Sequence, residues 1–368
     1  MKSIEIDRSK KLKDEPEKGH NRWHPDVTPI LEVDQGEEVL IECRDGLGSQ
    51  LSPSSTSADL LNLELGPCHP LTGPIWINGA EIGDLLEIEF VEIQPQPWAF
   101  TCIVPGLGFL SDVYTIPYLV HWDILDGWAT SAQLPGVRIP GAPFMGVSGV
   151  APSHEQLRSW TRREQSLLDR GGLVFMPGPD GAIPDTEPIA SEGLRTLPPR
   201  ENGGNFDVKQ LTKGSKLMLS VNVAGGLYSV GDGHFSQGDG EVCISAAEMG
   251  STVIVRFKLL KGEAKNSKVI GPRFIWQDNE RADNSNKPRR YLSTMGMPIR
   301  PDGTNESGDL TLAARSALLN LINLLQEHGW NREQAYVLCS VAADLKIGNV
   351  VDVPNYVVSA CIPDDIFV

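Results

Sequence analysis

The sequence predicts a mainly β (α+β) fold: a β-sandwich or jelly-roll-like core with long loops and, late in the chain, a C-terminal helical hairpin. Three observations predict it. A turn glycine, one or two polar residues and an alternating apolar run recur along the chain. Long stretches rich in proline and glycine, with no period, separate these runs. Near the C-terminus the apolar spacing changes from the two-residue period of strands to the 3.6-residue period of helices.

The first thirty residues are charged and end in GHNRWHPD, where His20, Arg22, Trp23, His24 and Asp26 crowd together. We read residues 1–30 as an N-terminal arm. It is either packed on a site or a neighbouring subunit, or spread over the surface with its long side chains snorkelling. Residues 31–368 read as one unit, with a β-rich core at 31–300 and the helical hairpin and terminal strands at 309–368. Strands follow the turn glycines: Gly36 leads Val39 to Cys43, Gly83 leads Leu85 to Phe90, Gly214 leads Leu217 to Val223, and Gly250 leads Val253 to Leu259. Short strands entered through tight turns pair antiparallel, and their number calls for a sandwich or jelly roll.

Between the second and third of these strands, the runs beginning at Val104 and Leu134 are proline- and glycine-rich loops. Ser153 and Gln156 have the spacing of a capping box and open a helix with Leu157, Trp160, Glu164 and Leu168 on one face, stopped at Gly171-Gly172. From Pro177 to Pro199 the chain reads as loop. Asp309 caps a helix with an apolar stripe of Leu312, Leu318, Leu319, Ile322 and Leu325, ending at Gly329. Asn331 and Gln334 open a second helix, carrying Ala335, Leu338, Val341 and Ala342 inward and closing near Gly348. Val350, Val351 and the run from Tyr356 to Ile362 supply one or two final strands.

The chain has 368 residues and a net charge of −16 at pH 7. Such a surface repels phosphate backbones and anionic membranes, so neither nucleic acid nor membrane is expected as a partner. The six cysteines are scattered with no CxxC pair, as in reduced core cysteines. The charged N-terminus lacks a secretory apolar region, and no run reaches the ~18 apolar residues of a spanning helix. A cytoplasmic protein is expected.

Candidate chemistry is densest from Gly226 to Glu248, GLYSVGDGHFSQGDGEVCISAAE. Within it Asp232, His234, Asp239 and Glu241 stand among Gly231, Gly233, Gly238 and Gly240. Two Gly-Asp-Gly steps imply two tight bends aiming polar groups at one point, so the stretch reads as a polar elbow between a strand and a second strand from Val242 to Ala247. Three carboxylates and an imidazole can hold one divalent metal, zinc or calcium, through Asp232, His234 and Asp239. Without metal they can act as acid and base, or simply tie a turn together. Three other segments put polar side chains beside glycines at strand ends: Arg44-Asp45-Gly46, the loop holding Cys68, His69 and Thr72, and the loop from Pro199 through Glu201, Asn202 and Gly203 to Asp207.

The ordered motifs HNRWHPD, HPLTGPIWINGAEIGDLLEIEF, GLGFL, PFMGVSGVAP, PRENGGNFDVKQL, YSVGDGHFSQGDGEVC and VDVPNYVVSACIP closely resemble the acetamidase/formamidase family, over nearly the whole chain from about His20 to Pro363. Where acetamidase relatives have an Asp-Cys-His-Gly segment, this chain has Arg200-Glu201-Asn202-Gly203, which resembles the formamidase branch. The resemblance implies a β-rich fold, a homo-oligomer and hydrolysis of a short linear amide such as formamide to a carboxylate and ammonia. Acetamide and γ-lactams are the nearest alternative substrates. Family members commonly have two alanines after the elbow histidine; Phe235 and Ser236 stand here, and a Phe235 turned toward the site would narrow it.

Amide hydrolysis needs an activated nucleophile, charge stabilisation at the oxygen and a proton for the leaving nitrogen. The expected assignment gives water activation to Glu241 or Glu201, with His234 and Asp232 holding a metal or that water. Asn202 and the Gly203 and Gly204 amides serve the oxyanion, and His69 donates a proton or orients. Asp45, Thr72, Gly203, Phe235 and Cys243 are expected to line the substrate. Cys243, two residues past Glu241 on a presumed strand, is the competing nucleophile. Outside catalysis, the same pocket would suit a small-solute or carbohydrate binding protein with a structural calcium.

Overall fold

The computed structural model describes residues 1–277 and 289–368; the part of the expected core span at 278–288 lies outside them. The four glycine-led segments form the four inner strands of one sheet. Its order is Lys2–Ile4, Glu38–Cys43, Ser251–Leu260, Leu85–Pro95, Lys216–Ser220 and Arg273–Ile275. The alternation seen in the sequence is the burial pattern: Val39, Ile41 and Cys43 are inward, as are Val253, Val255 and Phe257. The edge strand Lys2–Ile4 pairs parallel with Glu38–Cys43, so the arm begins as part of the sheet.

Facing it lies a larger sheet whose centre is Tyr228–His234. That strand pairs antiparallel with Phe144–Gly149 on one side and with Leu71–Ile77 and Glu248–Met249 on the other. Side chains from both sheets, among them Ile41, Phe90, Ile75, Met145 and Val255, make one core between them, which is the sandwich. Burying each such side chain is worth about 1.5–3 kcal/mol.

The helix His154–Leu168 carries the full Ser153–Gln156 capping box and buries Leu157 and Trp160. The late helices span Leu310–Glu327 and Arg332–Ala342, the second with its Asn331–Gln334 box formed. They pack on the far end of the larger sheet in a second core with Trp122, Ile139 and Phe235. Strands Tyr291–Gly296, Val357–Pro363 and Asp344–Asn349 form a small sheet beside them. Among the described residues no helix is long and apolar enough to cross a membrane.

Three expectations need correction. The second late helix ends at Ala342 rather than near Gly348, because Asp344–Asn349 pairs with Val357–Pro363. Gly231-Asp232-Gly233 is strand, not a bend: all of Tyr228–His234 is buried, and a Cβ at Gly233 would stand 2.5 Å from Ser251 Oγ. Glycine is required there for sheet contact rather than for turning. Conversely, Val242 to Ala247 is not a strand but a compact loop, held by side chains from the late helix as described below.

Candidate active site

Alternation on the strand Tyr228–His234 sends Asp232 and His234 to the same face. Its neighbour in register places Glu248 directly across from His234. His234 Nε2 lies 3.1 Å from Glu248 Oε2 and 3.4 Å from Asp232 Oδ2. On the opposite side of the ring, Nδ1 is 3.1 Å from Gln237 Oε1. Gln237 Nε2 donates to the Asp207 carbonyl at 2.7 Å, which fixes the amide so that its oxygen meets Nδ1. Nδ1 therefore carries the hydrogen, and Nε2 is turned toward two carboxylates.

Asp207 and Glu241 close the group: one donor atom each from Asp207, His234 and Glu241 lie within 4.8 Å of one another, as do those of Asp232, His234 and Glu248. His69 Nδ1 approaches Asp232 Oδ1 at 3.6 Å. A Cβ at Gly146 would strike Asp207 and Asp232 at 2.7 Å, and one at Gly46 would strike Asp232 Oδ1 at 2.0 Å. Those two glycines form the walls against which the carboxylates rest. Asp207, Asp232 and Glu241 all have left-handed backbones, φ 48, 59 and 42, a conformation non-glycine residues hold only when the surroundings enforce it.

The electrostatics follow from packing acids together. Burial, reinforced by Asp232 and Glu248 and opposed by His234, pushes the Asp207 carboxyl up to about 7. Burial and Asp207 push Glu241 well above the carboxylate range, and burial raises Glu248. Burial works against Asp232 too, but His69 and His234 outweigh it and hold Asp232 low. Burial lowers His234, yet Glu248 and Asp232 win and hold it well above its ordinary value. Asp207 Oδ1, Asp232 Oδ1, His234 Nε2 and His69 Nδ1 are buried without a hydrogen-bond partner. A nitrogen turned onto two carboxylates, with further acids alongside and these atoms unpaired, is a donor set that fits a divalent cation.

Among the expected residues, Asp232, His234, Glu241, His69 and Asp45 converge. Asp45 accepts from the Leu47 and Ser49 amides at 2.9 and 3.0 Å; burial raises it to about 6, and Glu248 and Asp232 add to the rise. The others stand apart. Glu201 is clamped by Arg163 in a two-pronged pair at 2.6 and 3.0 Å, which lowers its pKa and removes it as a base. It lines a groove with Pro199, Arg200 and Pro272. Asn202 donates to Val150 O at 2.6 Å, and Gly203 is a strand residue opposite Gly149. Thr72 donates to the Glu42 carbonyl. Asp239 turns outward to Lys209 and Gln210, away from the metal set expected for it.

Phe235 points away from His234 into the second core, so it does not narrow the site. Cys243 is fully buried with Sγ against the Cys102 and Ser245 carbonyls. Burial raises its thiol pKa, the opposite of what a nucleophile needs. Sequence reasoning missed Asp207, Glu248 and Gln237. The first two closed segments already singled out, but which acid crosses to His234 is decided by strand register.

Beyond Gln237 lies a cavity of about 560 Å³ bordered by Ile139, Lys209, Gln210, Ser236, Trp276 and Tyr291. Gln237 thus stands between this cavity and the buried acids.

Comparison with known proteins gives a consistent result. The Acetamidase/Formamidase family profile matches residues 5–368. The acetamidase of Mycolicibacterium smegmatis is 37% identical over 90% of this chain and 87% of its own length. The formamidase of Methylophilus methylotrophus is 34% identical over 100% and 94%. The solved γ-lactamase from Delftia acidovorans superposes with a TM-score of 0.93 at 33% identity, covering 100% of this chain and 93% of that one. An acetamidase from Bacillus halodurans, at 23% identity and a TM-score of 0.56 over 96% and 98%, shares the fold.

Proposed function

The chain belongs to the acetamidase/formamidase family, and from that premise we propose that it cleaves formamide to formate and ammonia at the Asp207–Glu248 cluster. It is an amide hydrolase, acting on carbon–nitrogen bonds. The observation that carries the site assignment is the pairing of His234 Nε2 with Glu248 and Asp232, beside a second acid pair, Asp207 and Glu241.

Asp207 and Glu241, both raised in pKa, share a proton as interacting carboxyls do. The ionised member takes a proton from the attacking water as its oxygen bonds to the amide carbon. The protonated member gives a proton to nitrogen as the C–N bond breaks, so the pair returns to its starting state. His69 is the donor placed to orient the amide oxygen. Gln237 holds the His234 ring in one orientation through Nδ1. Asp232, His234 and Glu248 are the residues that would hold a divalent metal, zinc or calcium; bound there, it would supply positive charge against the charge developing on the amide oxygen.

The reading of formamide ahead of acetamide rests on the Arg200-Glu201-Asn202-Gly203-Gly204-Asn205 sequence, which resembles formamidases. With three heavy atoms at no more than about 1.5 kcal/mol each, its affinity is on the order of millimolar. A second reading, γ-lactam opening, is favoured by the 0.93 TM-score with a γ-lactamase. The family resemblance also supports a homo-oligomer, and the acidic surface supports a cytoplasmic protein that avoids nucleic acid and membranes.

Ammonia release from formamide and acetamide, and ring opening of 2-pyrrolidone to 4-aminobutanoate, by the purified protein rank the readings. Failure with all three would remove the enzymatic assignment and leave the solute-binding one. Elemental analysis and assay after chelation test the metal: full turnover without bound metal leaves catalysis to the carboxyls and imidazoles alone.

A further inference from the structure

We propose that His24, Asp26 and His154 form a second divalent-metal site, built from two imidazoles and one carboxylate, that fastens the N-terminal arm to the start of the helix His154–Leu168. The site shares no residue with the Asp207–Glu248 cluster and uses a sequence motif, HNRWHPD, that the amide chemistry leaves unexplained.

His24 is the fixed member. It is 2% exposed, and its Nδ1 accepts from the Asp26 amide at 3.1 Å. That bond sets the ring and leaves Nε2 buried without a partner, although buried polar atoms normally have one. Asp26 Oδ1 is 3.2 Å from His154 Nε2, and Oδ2 is 3.8 Å from His24 Nδ1. The two imidazole rings meet edge to face with centroids 5.6 Å apart. One donor atom from each of the three residues lies within 4.8 Å of the others.

Two imidazoles with a carboxylate are the ligand set of zinc and its transition-metal neighbours; calcium and magnesium prefer all-oxygen shells. Around a tetrahedral zinc, donor atoms stand about 3.4 Å apart, so the group must contract slightly. It has the freedom to do so: the Asp26 and His154 side chains are 52% and 51% exposed and swing easily, while His24 stays put. Three ligands leave positions for water, as in an accessible site.

The consequence is mechanical. His24 belongs to the arm, which passes through the buried residues His20, Asn21, Arg22 and Trp23. His154 is the first residue of the helix whose far half holds Arg200 through Glu164 and Glu201 through Arg163. A metal at this point ties arm, helix and that loop into one unit.

The test uses the full-length protein stripped with EDTA and dialysed against zinc chloride, with zinc per chain read by elemental analysis. Wild type, His154→Ala and Asp26→Asn are compared, each also in a His234→Ala background that disables the main cluster. The expected result is about one zinc per chain fewer in both variants than in the matching parent, with no such difference when calcium chloride replaces zinc. Zinc raises the melting temperature of His234→Ala but not of His234→Ala with His154→Ala. Ammonia release by the His154→Ala single variant stays at the wild-type level, which separates this site from the catalytic one. Equal zinc counts with and without His154, or a calcium count that drops with it, overturn the proposal. Asp26→Asn keeps the shape of the side chain and decides the matter if His154→Ala fails to fold.

Discussion

Gln237 makes two hydrogen bonds at once, to the His234 ring and to the Asp207 backbone, and so sets both halves of the acid cluster. Replacing it by leucine removes both bonds at nearly constant volume. Groups that orient a site residue from behind typically matter by 10–100-fold, so Gln237→Leu is expected to lower kcat by about that factor with KM little changed, measured by ammonia release. Glu241→Gln removes a member of the proton-sharing pair and is expected to lower kcat by about 10²–10⁴. Glu201→Gln, by contrast, breaks only the half-exposed pair with Arg163, worth at most about 1 kcal/mol, and leaves turnover near normal. Equal losses in the two glutamate variants would return Glu201 to the site. The stretch from Gly226 to Glu248 was legible as chemistry because aspartate, histidine and glutamate among glycines are a dense local signal. Glu201 misled because polar residues beside glycines look alike whether they face a cleft or an arginine on a neighbouring helix.

At the scale of the element, the turn-glycine rule found the inner strands of one sheet because a period of two and a tight turn, at positive φ for Gly36, Gly83 and Gly214, are both local properties. The rule misplaced Val242 to Ala247, whose apolar composition is that of a strand, because side chains take the place of ladder bonds to the neighbouring chain: Ser245 Oγ accepts from the Cys102 amide and Thr101 Oγ1 donates to the Ala246 carbonyl. The turn before Leu85–Pro95 shows what a local polar network contributes. Asp84 is 2% exposed; it accepts from the Glu81 and Gly262 amides and pairs with Lys261 at 2.7 Å. Burial alone would raise its pKa, but these bonds prevail and lower it below 3.8. A lowered folded-state pKa means stability that is present above the unfolded value and lost as pH falls through the folded one. Asp84→Asn is therefore expected to cost on the order of 1–2 kcal/mol at pH 7, the deficit shrinking as pH is taken below about 4. Denaturant titrations of both proteins at pH 7 and pH 3 check this; a deficit that grows on acidification would contradict it.

Across the whole molecule, the second late helix and the strand after it act as a clamp on the catalytic loop. Ser340 accepts from the Cys243 amide at 3.1 Å and donates to Ser245 O at 2.7 Å, and its carbonyl takes the Gly238 amide at 2.8 Å. Tyr336 donates to Val242 O and accepts from the Leu110 amide. Leu345 and Asp344 hold the backbone of Asp239. Glu241 keeps its left-handed backbone because the loop around it is fixed from the other end of the chain. Ser340→Ala leaves the Cys243 amide buried without an acceptor, at a cost of about 1–3 kcal/mol. It is also expected to lower kcat several-fold through a loosened Glu241; loss of stability with unchanged kcat would show that the clamp supports the fold alone.

The amino-acid order by itself determined the sandwich strands, the capped helices, the family resemblance and the presence of acid and imidazole on one short stretch, because each depends on neighbours close along the chain. Tertiary structure alone decided that Glu248 and Asp207 join His234, that Glu201 and Asp239 do not, and that Cys243 is packing. Those outcomes rest on strand register and on contacts between segments that lie from tens to about a hundred residues apart, and no local pattern of side chains encodes which group will arrive.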